Sequence, residues 1–441
     1  MDGPRRERGN TAIPLRHTLP PELIDRIIDF LWDDARALCN CALTCRDWFP
    51  RSHYQLYSIL YIRRRSTFDS LVRLTLRTPH TRQYLSFVRE LSIEDDHKHP
   101  FAHVVPHMVG RYMSGVTTLR FLNPSAGVQM PLGAHPSFFL LVSQFSSVTK
   151  LEVANYYFSS FGDIRRFVCA FPQLADLYLG SVWLPGSATL TLPSLVRPRN
   201  EDRPRLRSLR LGYGTSELMA QIVDWLLSTP SKHTIQGLHI YSDDVDWLSL
   251  QLPVSRLVQS LGVLLEHLTL PRMVEDYVAM ALVTLKIREA IYEHSWDATW
   301  TKLSSILAHI TSSRITSLDF SLDLTPILEA LSFDVPALVN EMDLYASQLR
   351  PIAAAIAHAH FARLQRVSLT VSCLFQRDTL PSDVERVFEQ VEKQIRQLLL
   401  GWHVRGILKV SITSQKYPLY LPVVGNEDEG RVVQRADLDI L

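Results

Sequence analysis

No apolar run in this chain approaches the ~18 uncharged residues that a membrane-spanning helix needs, and the opening MDGPRRERGNTAIP lacks the apolar stretch of a secretory leader. Neither insertion nor secretion is expected. Cysteine is scarce and odd in number, five in 441 residues, which fits free thiols in a reducing compartment better than a disulfide framework. The expected location is the cytosol or the nucleus. An excess of charge is also missing, since 46 Lys and Arg stand against 45 Asp and Glu. Nothing therefore draws the whole chain to a phosphate backbone or to acidic lipid, and neither nucleic acid nor membrane is an expected partner. Arg5, Arg6, Arg8 and Arg16, opposed by Asp2 and Glu7, belong to a short solvated tail over residues 1–18.

Local catalytic signatures are absent as well. There is no G-x-S-x-G elbow, no Walker loop and no H-E-x-x-H helix. Three weaker patterns remain. Cys39, Cys41 and Cys45 lie near His53, but without the C-x2-C pairing of structural zinc sites, and buried inert thiols account for them. His97, His99, His103 and His107 follow Asp95 and Asp96, but Pro100 and Pro106 interrupt the helix that would align them, which leaves solvated loop histidines. Gly212-Tyr213-Gly214 sits between a strand and a helix as a dinucleotide loop would, yet Glu217 stands where the third glycine belongs and would repel pyrophosphate. No cofactor, metal or catalytic residue is expected.

What the chain does have is apolar content, 46% against 21% charged residues at a mean hydropathy of +0.02. Single cores stop growing near ~250–300 residues, so this length calls for two domains or a repeat array. Short alternating segments recur, each reading as one strand. The leucines at their centres, Leu91, Leu119, Leu151, Leu177, Leu209, Leu238 and Leu268, are spaced by 28, 32, 26, 32, 29 and 30 residues. Helical stretches fall between them, including Phe161 to Phe171, Ser216 to Ser228, Val254 to Leu264 and Thr301 to Ile310. A strand–helix unit cannot bury its apolar face alone, so neighbours stack and share a core, leaving the exposed strand positions as the natural binding surface.

Beyond Leu268 the steps widen to 50 at Leu318 and 49 at Val367, with Val283 to Ile287 a hidden strand between them. Ala330 to Val335 reads as a strand and Ile352 to Phe361 as an alanine-rich helix, within a stretch, Thr325 to His360, that resists assignment. Val384 to Leu400 is a last helix, Ile407 to Ile412 a last strand, and the segment after Tyr417 a loose tail. The array resembles leucine-rich repeats, although the Asn or Cys that normally follows the strand is mostly missing, Asn123 and Asn155 excepted.

The segment Leu19 to Ile62 has a different texture and divides into three short helices. Pro20 and Pro21 suit a first turn, and Leu23, Ile24, Ile27, Ile28 and Leu31 form a wide apolar stripe. Asp33 and Asp34 are placed to accept from the amides of a second helix carrying Ala35, Leu38 and Cys39, and apolar content continues through Trp48 and Phe49 until Pro50 restricts the helix. About forty residues make too small a core to stand alone, so the unit must lean on a partner.

Leu19-Pro20-x-Glu22-Leu23, then Ile27-Ile28, Phe30-Leu31 and Leu38, and the close Leu43-x-Cys45-Arg46-x-Trp48, with His53-Tyr54-Gln55-Leu56-Tyr57 after it, resemble the F-box motif of fungal-type F-box proteins. The match covers roughly a tenth of the chain. The resemblance implies a subunit that docks on the adaptor of a cullin–RING (SCF-type) ubiquitin ligase and holds a target protein through its remaining chain. By motif position the adaptor-binding candidates are Leu19, Pro20, Leu23, Ile27, Leu31, Leu38, Leu43, Cys45 and Trp48, each of which either meets the adaptor or packs the helices together. Trp183, Trp225, Trp247, Tyr156 and Tyr157 are either exposed anchors for the target or core.

The fold expected is α/β: a three-helix F-box module over residues 19–62, then a curved, leucine-rich-repeat-like strand–helix solenoid over 63–416, with tails at 1–18 and 417–441. The function expected is non-catalytic target recognition. A scaffold that never joins a ligase and a nucleotide-binding α/β enzyme are the alternatives.

Overall fold

A computed structural model describes residues 19–95, 98–124, 130–132, 137–184, 204–212, 214–241, 247–270, 284–287, 312–323, 361–375 and 381–416, with Ser304 and Leu307 besides. The protein is a mixed α/β chain that divides into two compact units, Met1–Leu282 and Val283–Leu441. The expected readings at Ala330–Val335 and Ile352–His360, and both tails, lie outside the described residues.

The first unit opens with three ten-residue helices, α1 (Pro21–Phe30), α2 (Ala35–Thr44) and α3 (Phe49–Ser58). Pro21 begins α1, where a missing amide hydrogen costs nothing, and the carbonyl of Pro20 takes the amides of Leu23 and Ile24 at 3.0 and 3.2 Å. Asp34 caps α2 by accepting from the Ala37 amide at 2.9 Å. Pro50 does not end a helix as the sequence reading had it. It lies in the first turn of α3, the one place where its ring and lost donor are harmless.

Strand β1 (Ile59–Ile62) follows α3 on the next residue and pairs in parallel with β2 (Glu90–Glu94). Residues 59–62, assigned above to the helical module, are thus the first strand of a sheet. Helices α4 (Arg65–Arg77) and α5 (Pro79–Leu85) make the first crossover. Then come α6 (Val105–Met108), β3 (Thr118–Leu122), a two-residue β4 (Met130–Pro131), α7 (Phe138–Val142) and β5 (Lys150–Ala154). The unit continues with β6 (Tyr156–Tyr157), α8 (Phe161–Cys169), β7 (Asp176–Gly180), β8 (Ser208–Gly212), α9 (Ser216–Leu227), β9 (Gly237–Tyr241), α10 (Trp247–Leu261) and β10 (His267–Leu270). Strands β1, β2, β3, β5, β7, β8, β9 and β10 lie side by side in that order, all parallel, and β4 pairs with β6 separately.

The leucine spacing read from the sequence becomes a single register row. Leu60, Leu91, Leu119, Leu151, Leu177, Leu209, Leu238 and Leu268 are successive cross-strand partners, and all but Leu60 are buried. Two residues on, Ile62, Ile93, Phe121, Val153, Leu179, Leu211, Ile240 and Leu270 make a second buried row. The helices pack beneath, with Phe121, Phe138 and Phe167 clustered at ring separations of 5.7 to 6.1 Å. The steps of 26 to 32 residues differ, yet the register does not slip, because shifting a strand by one would turn its leucine to the opposite face.

At the ends of β2, β3, β5 and β7 a polar residue makes the turn. The amides of Asp95, Asn123, Asn155 and Ser181 donate to the carbonyls of Leu122, Ala154, Gly180 and Gly212 on the following strand, at 2.9 to 3.1 Å. Asn123 and Asn155 exchange side-chain amide bonds to each other's carbonyls, at 3.1 and 2.8 Å. Asn155 and Ser181 are left-handed, with φ of 62° and 49°. Asp95, nearly buried, accepts instead from the amides of Phe101 and Ala102.

The second unit holds β11 (Thr284–Ile287), β12 (Ser317–Asp323) and β13 (Arg366–Phe375), then α11 (Pro381–Leu398), α12 (Leu400–Val404) and β14 (Leu408–Lys416), its four strands parallel in chain order. Val387, Val391 and Ile395 form the buried stripe of α11, and Gly406, at φ 69°, makes the turn into β14. Among the described residues no helix is long and apolar enough to cross a membrane.

Candidate docking surface on the first helices

Helix α1 is apolar on two stripes, and they do different things. Ile24 and Ile28 point inward and are buried with Leu38 of α2, and Leu31, Trp48 and Leu56 pack around them. Cys41 of α2 and Ser52 of α3 are buried as well. Leu23, Ile27 and Phe30, at helical spacing on the neighbouring stripe, are 45%, 42% and 83% exposed, and Leu19 just before the helix is 48% exposed. Trp32, Leu43 and Phe49 are exposed too, Leu43 to 85%.

The orientation of α1 is fixed by an ion pair on its remaining face. Asp29 accepts from Arg51 Nε and Nη2 at 2.7 and 2.6 Å, and Gln55 adds a third donor, all from α3. The Arg51 hydrogen bonds hold the Asp29 carboxyl below the usual carboxylate range against the opposing effect of burial, with Gln55 and the Arg51 charge assisting. The polar face is thereby committed to α3, and the second apolar stripe is left facing water.

The adaptor-binding candidates divide accordingly. Leu19, Pro20, Leu23, Ile27, Leu43 and Cys45 are exposed. Leu38, at 1% exposure, is core and has no surface to offer a partner, while Leu31 and Trp48 are half-buried against it. The burial of Leu38 follows from α2 lying across the inward stripe of α1. Phe30, Trp32 and Phe49 were not among the candidates. The i, i+4, i+7 spacing of Leu23, Ile27 and Phe30 was the signal for the first of them.

The helices are joined to the sheet by an aromatic stack. His53 of α3 lies 4.2 Å from the Phe49 ring, 4.9 Å from Tyr84 of α5 and 5.3 Å from Tyr57, and Tyr57 stacks on Tyr84 at 4.8 Å. Burial lowers the His53 pKa, and its Nδ1 is buried without a hydrogen-bond partner among the described residues. Burial likewise raises the Tyr57 hydroxyl. Immediately beyond, the Arg89 amide donates to the Ser58 carbonyl at 2.8 Å, where helix gives way to strand.

The sheet offers a second surface. On the face opposite the leucines one register row reads Tyr61, Ser92, Arg120, Glu152, Tyr178, Arg210, His239 and Thr269; Tyr61 is exposed, Ser92 and Thr269 are buried, and the five between them are half-buried. Arg120 pairs with Glu90 and with Glu152, the Arg210 guanidinium lies 5.1 Å over the Tyr178 ring, and His239 Nδ1 is 2.8 Å from the Thr269 hydroxyl. Gly180 and Gly212 are adjacent partners at the strand ends. A side chain on Gly180 would strike the Tyr178 hydroxyl, so the ring lies along its own strand over bare backbone.

The weaker patterns are not brought together. Among the described residues no group of three or more His, Cys, Asp or Glu is placed to hold a metal ion. Cys41 is buried while Cys45 is exposed. His97 lies outside the described residues, and His103 and His107 fall in separate short helical turns. At the start of α9 the Thr215 hydroxyl already accepts the Leu218 amide at 3.3 Å, with Glu217 in the first turn, so that helix end is capped from within. Of the aromatic candidates, Tyr156 and Trp225 are core and unavailable to a target, and Trp183 and Tyr157 are half-buried. No model of a known protein family matches the chain, and no curated protein matches it either.

Proposed function

We propose that this protein is the target-recognition subunit of a cullin–RING ubiquitin ligase, an F-box helical module docking on the adaptor and a leucine-rich-repeat-like solenoid holding a target protein. The observation that carries the reading is the division of α1. A helix whose inward stripe is already packed against its two neighbours keeps a second stripe, Leu19, Leu23, Ile27 and Phe30, in water. Exposed apolar clusters of this kind mark interaction sites. The in-register leucine row and the Asn123–Asn155 exchange support the solenoid.

On this reading the protein contributes no bond-making group. It supplies proximity, holding a target lysine near a thioester formed elsewhere in the assembly. The row opposite the leucines is the surface for the target, and the protein works in the cytosol or nucleus. Full burial of a Leu or Ile side chain contributes about 1.5–3 kcal/mol, and a half-exposed one regains about half of that on docking.

The test is co-purification of the ligase adaptor with the intact chain and with a Leu23→Asp, Ile27→Asp variant, with circular dichroism to check that both remain folded. Adaptor retained by the first and lost by the second supports the proposal. An adaptor that binds neither sinks it and leaves a protein-binding scaffold.

A further inference from the structure

Charge is unevenly spread along the first unit. Between Arg63 and Arg89 the sequence holds seven arginines against one acidic residue, Asp69, and no Asp or Glu occurs from His97 to Leu151. The whole chain carries only +1, so what lies outside these stretches is net acidic. Asp69 is itself taken, paired with Arg65 at 3.0 Å. On β2, Glu90 pairs with Arg120 and Glu94 with Arg63.

The helices of the first two crossovers bring further guanidinia together. Arg73 and Arg77 stand one turn apart on α4, and both are exposed. Arg82 of α5, also exposed, reaches back to the end of α4 and donates from Nε and Nη2 to the carbonyls of Thr75 and Leu76 at 2.8 and 2.9 Å. Its guanidinium lies 5.7 Å from the centre of the Tyr112 ring, in the helical turn Gly110–Tyr112, and the exposed Arg111 lies 4.7 Å from the same ring. Two cations thus share one aromatic face-partner.

The helix macrodipole accounts for Arg77 and Arg82 at the carbonyl end of α4. It accounts for neither Arg73, a turn before that end, nor Arg111 on a different element. Like charges at i, i+4 repel each other, and a cluster of one sign costs stability unless a counter-charge meets it.

The counter-charge that fits is a short acidic stretch of a protein. The chain has no lysine before Lys98, so the patch offers arginine forks, which grip carboxylates in pairs. A nucleic acid or an anionic bilayer extends past so small a patch, onto a chain that is otherwise net acidic and repels it. We propose that Arg73, Arg77, Arg82 and Arg111 form a docking surface for a segment rich in Asp and Glu on a partner protein, separate from the exposed stripe of α1 and from the row opposite the leucines.

Fluorescence anisotropy of a labelled peptide of alternating Glu and Gly, titrated with the intact chain at low salt, tests this without the ligase adaptor. The variant Arg73→Gln, Arg77→Gln, Arg111→Gln leaves Arg82 to hold the end of α4, and circular dichroism checks its fold. It is expected to bind the peptide about tenfold more weakly. Arg363→Gln, Arg386→Gln, Lys393→Gln removes the same charge from exposed positions of the second unit and should bind within about twofold of the native chain. A native chain that does not bind the peptide by about 1 mM overturns the proposal, as does an equal loss in both variants. Tighter binding of a single-stranded oligonucleotide, or of phosphatidylserine vesicles, than of the peptide overturns it in favour of that polyanion.

Discussion

Asp29 of α1 and Arg51 of α3 meet through two hydrogen bonds, 2.7 and 2.6 Å, across 22 residues of sequence. The pair decides which side of α1 faces water, because it ties the polar side to α3 and leaves Ile24 and Ile28 to be covered by Leu38 of α2, by Trp48, and by Leu56 of α3.

Replacing Asp29 by Asn should lower stability modestly, by about 0.5–1 kcal/mol, since both side chains are about a third exposed and solvent screens the pair. The pH dependence has a definite sign. The carboxyl is held below its ordinary value, so its contribution is complete above the unfolded value of about 4 and is lost as pH falls toward the folded one. Melting curves at pH 7 and pH 3.5 should therefore differ less for Asp29→Asn than for the native chain.

His53 gives a second window. Burial lowers its pKa, so above the ordinary value of about 6.5 the imidazole is neutral in both states and pH has no hold on it. Below that value the unfolded chain takes up a proton that the folded one resists, and stability declines until the folded pKa is reached. His53→Phe, which keeps the ring between Phe49 and Tyr84, is expected to reduce the loss of melting temperature between pH 7.5 and 5.5.

The leucine row sets the largest effects. Leu119→Ala or Leu151→Ala empties a fully buried position and should cost about 2–5 kcal/mol in denaturant unfolding. Leu140→Ala, at a position 73% exposed, should change stability by less than about 0.5 kcal/mol.

At Asn155 two substitutions separate conformation from hydrogen bonding. Glycine keeps the φ of 62° at no steric cost but loses the bond to the Asn123 carbonyl. Alanine loses both, so Asn155→Ala should be less stable than Asn155→Gly by about 1 kcal/mol in the same unfolding measurement.

How much of this was legible in the sequence depends on the periodicity involved. Period two, combined with repeated leucines, places a strand and its face together, and the row from Leu91 to Leu268 emerged with its register intact. The hidden strand read at Val283–Ile287 is β11, over Thr284–Ile287, found on the same signal. Period 3.6 is less decisive when apolar residues cover more than one stripe. Leu23, Ile24, Ile27 and Ile28 look alike in sequence, and only the positions of α2 and α3 separate core from surface. Leu38, left open between adaptor contact and helix packing, is accordingly core, and Phe30 was passed over. Strand β1 was missed because Ile59-Leu60-Tyr61-Ile62 follows a helix without a turn residue to announce the change.

That missing turn has a mechanical meaning. Ser58 ends α3 and Ile59 begins β1, with the Ser58 carbonyl bonded to the amide of Arg89, just before β2. No swivel exists between the helices and the sheet, and the Tyr57–Tyr84 stack bars rotation about the junction. A load placed on the helices is borne by the hydrogen bonds of the sheet, and the distance between the two surfaces is set by covalent geometry in place of a tether whose reach fluctuates.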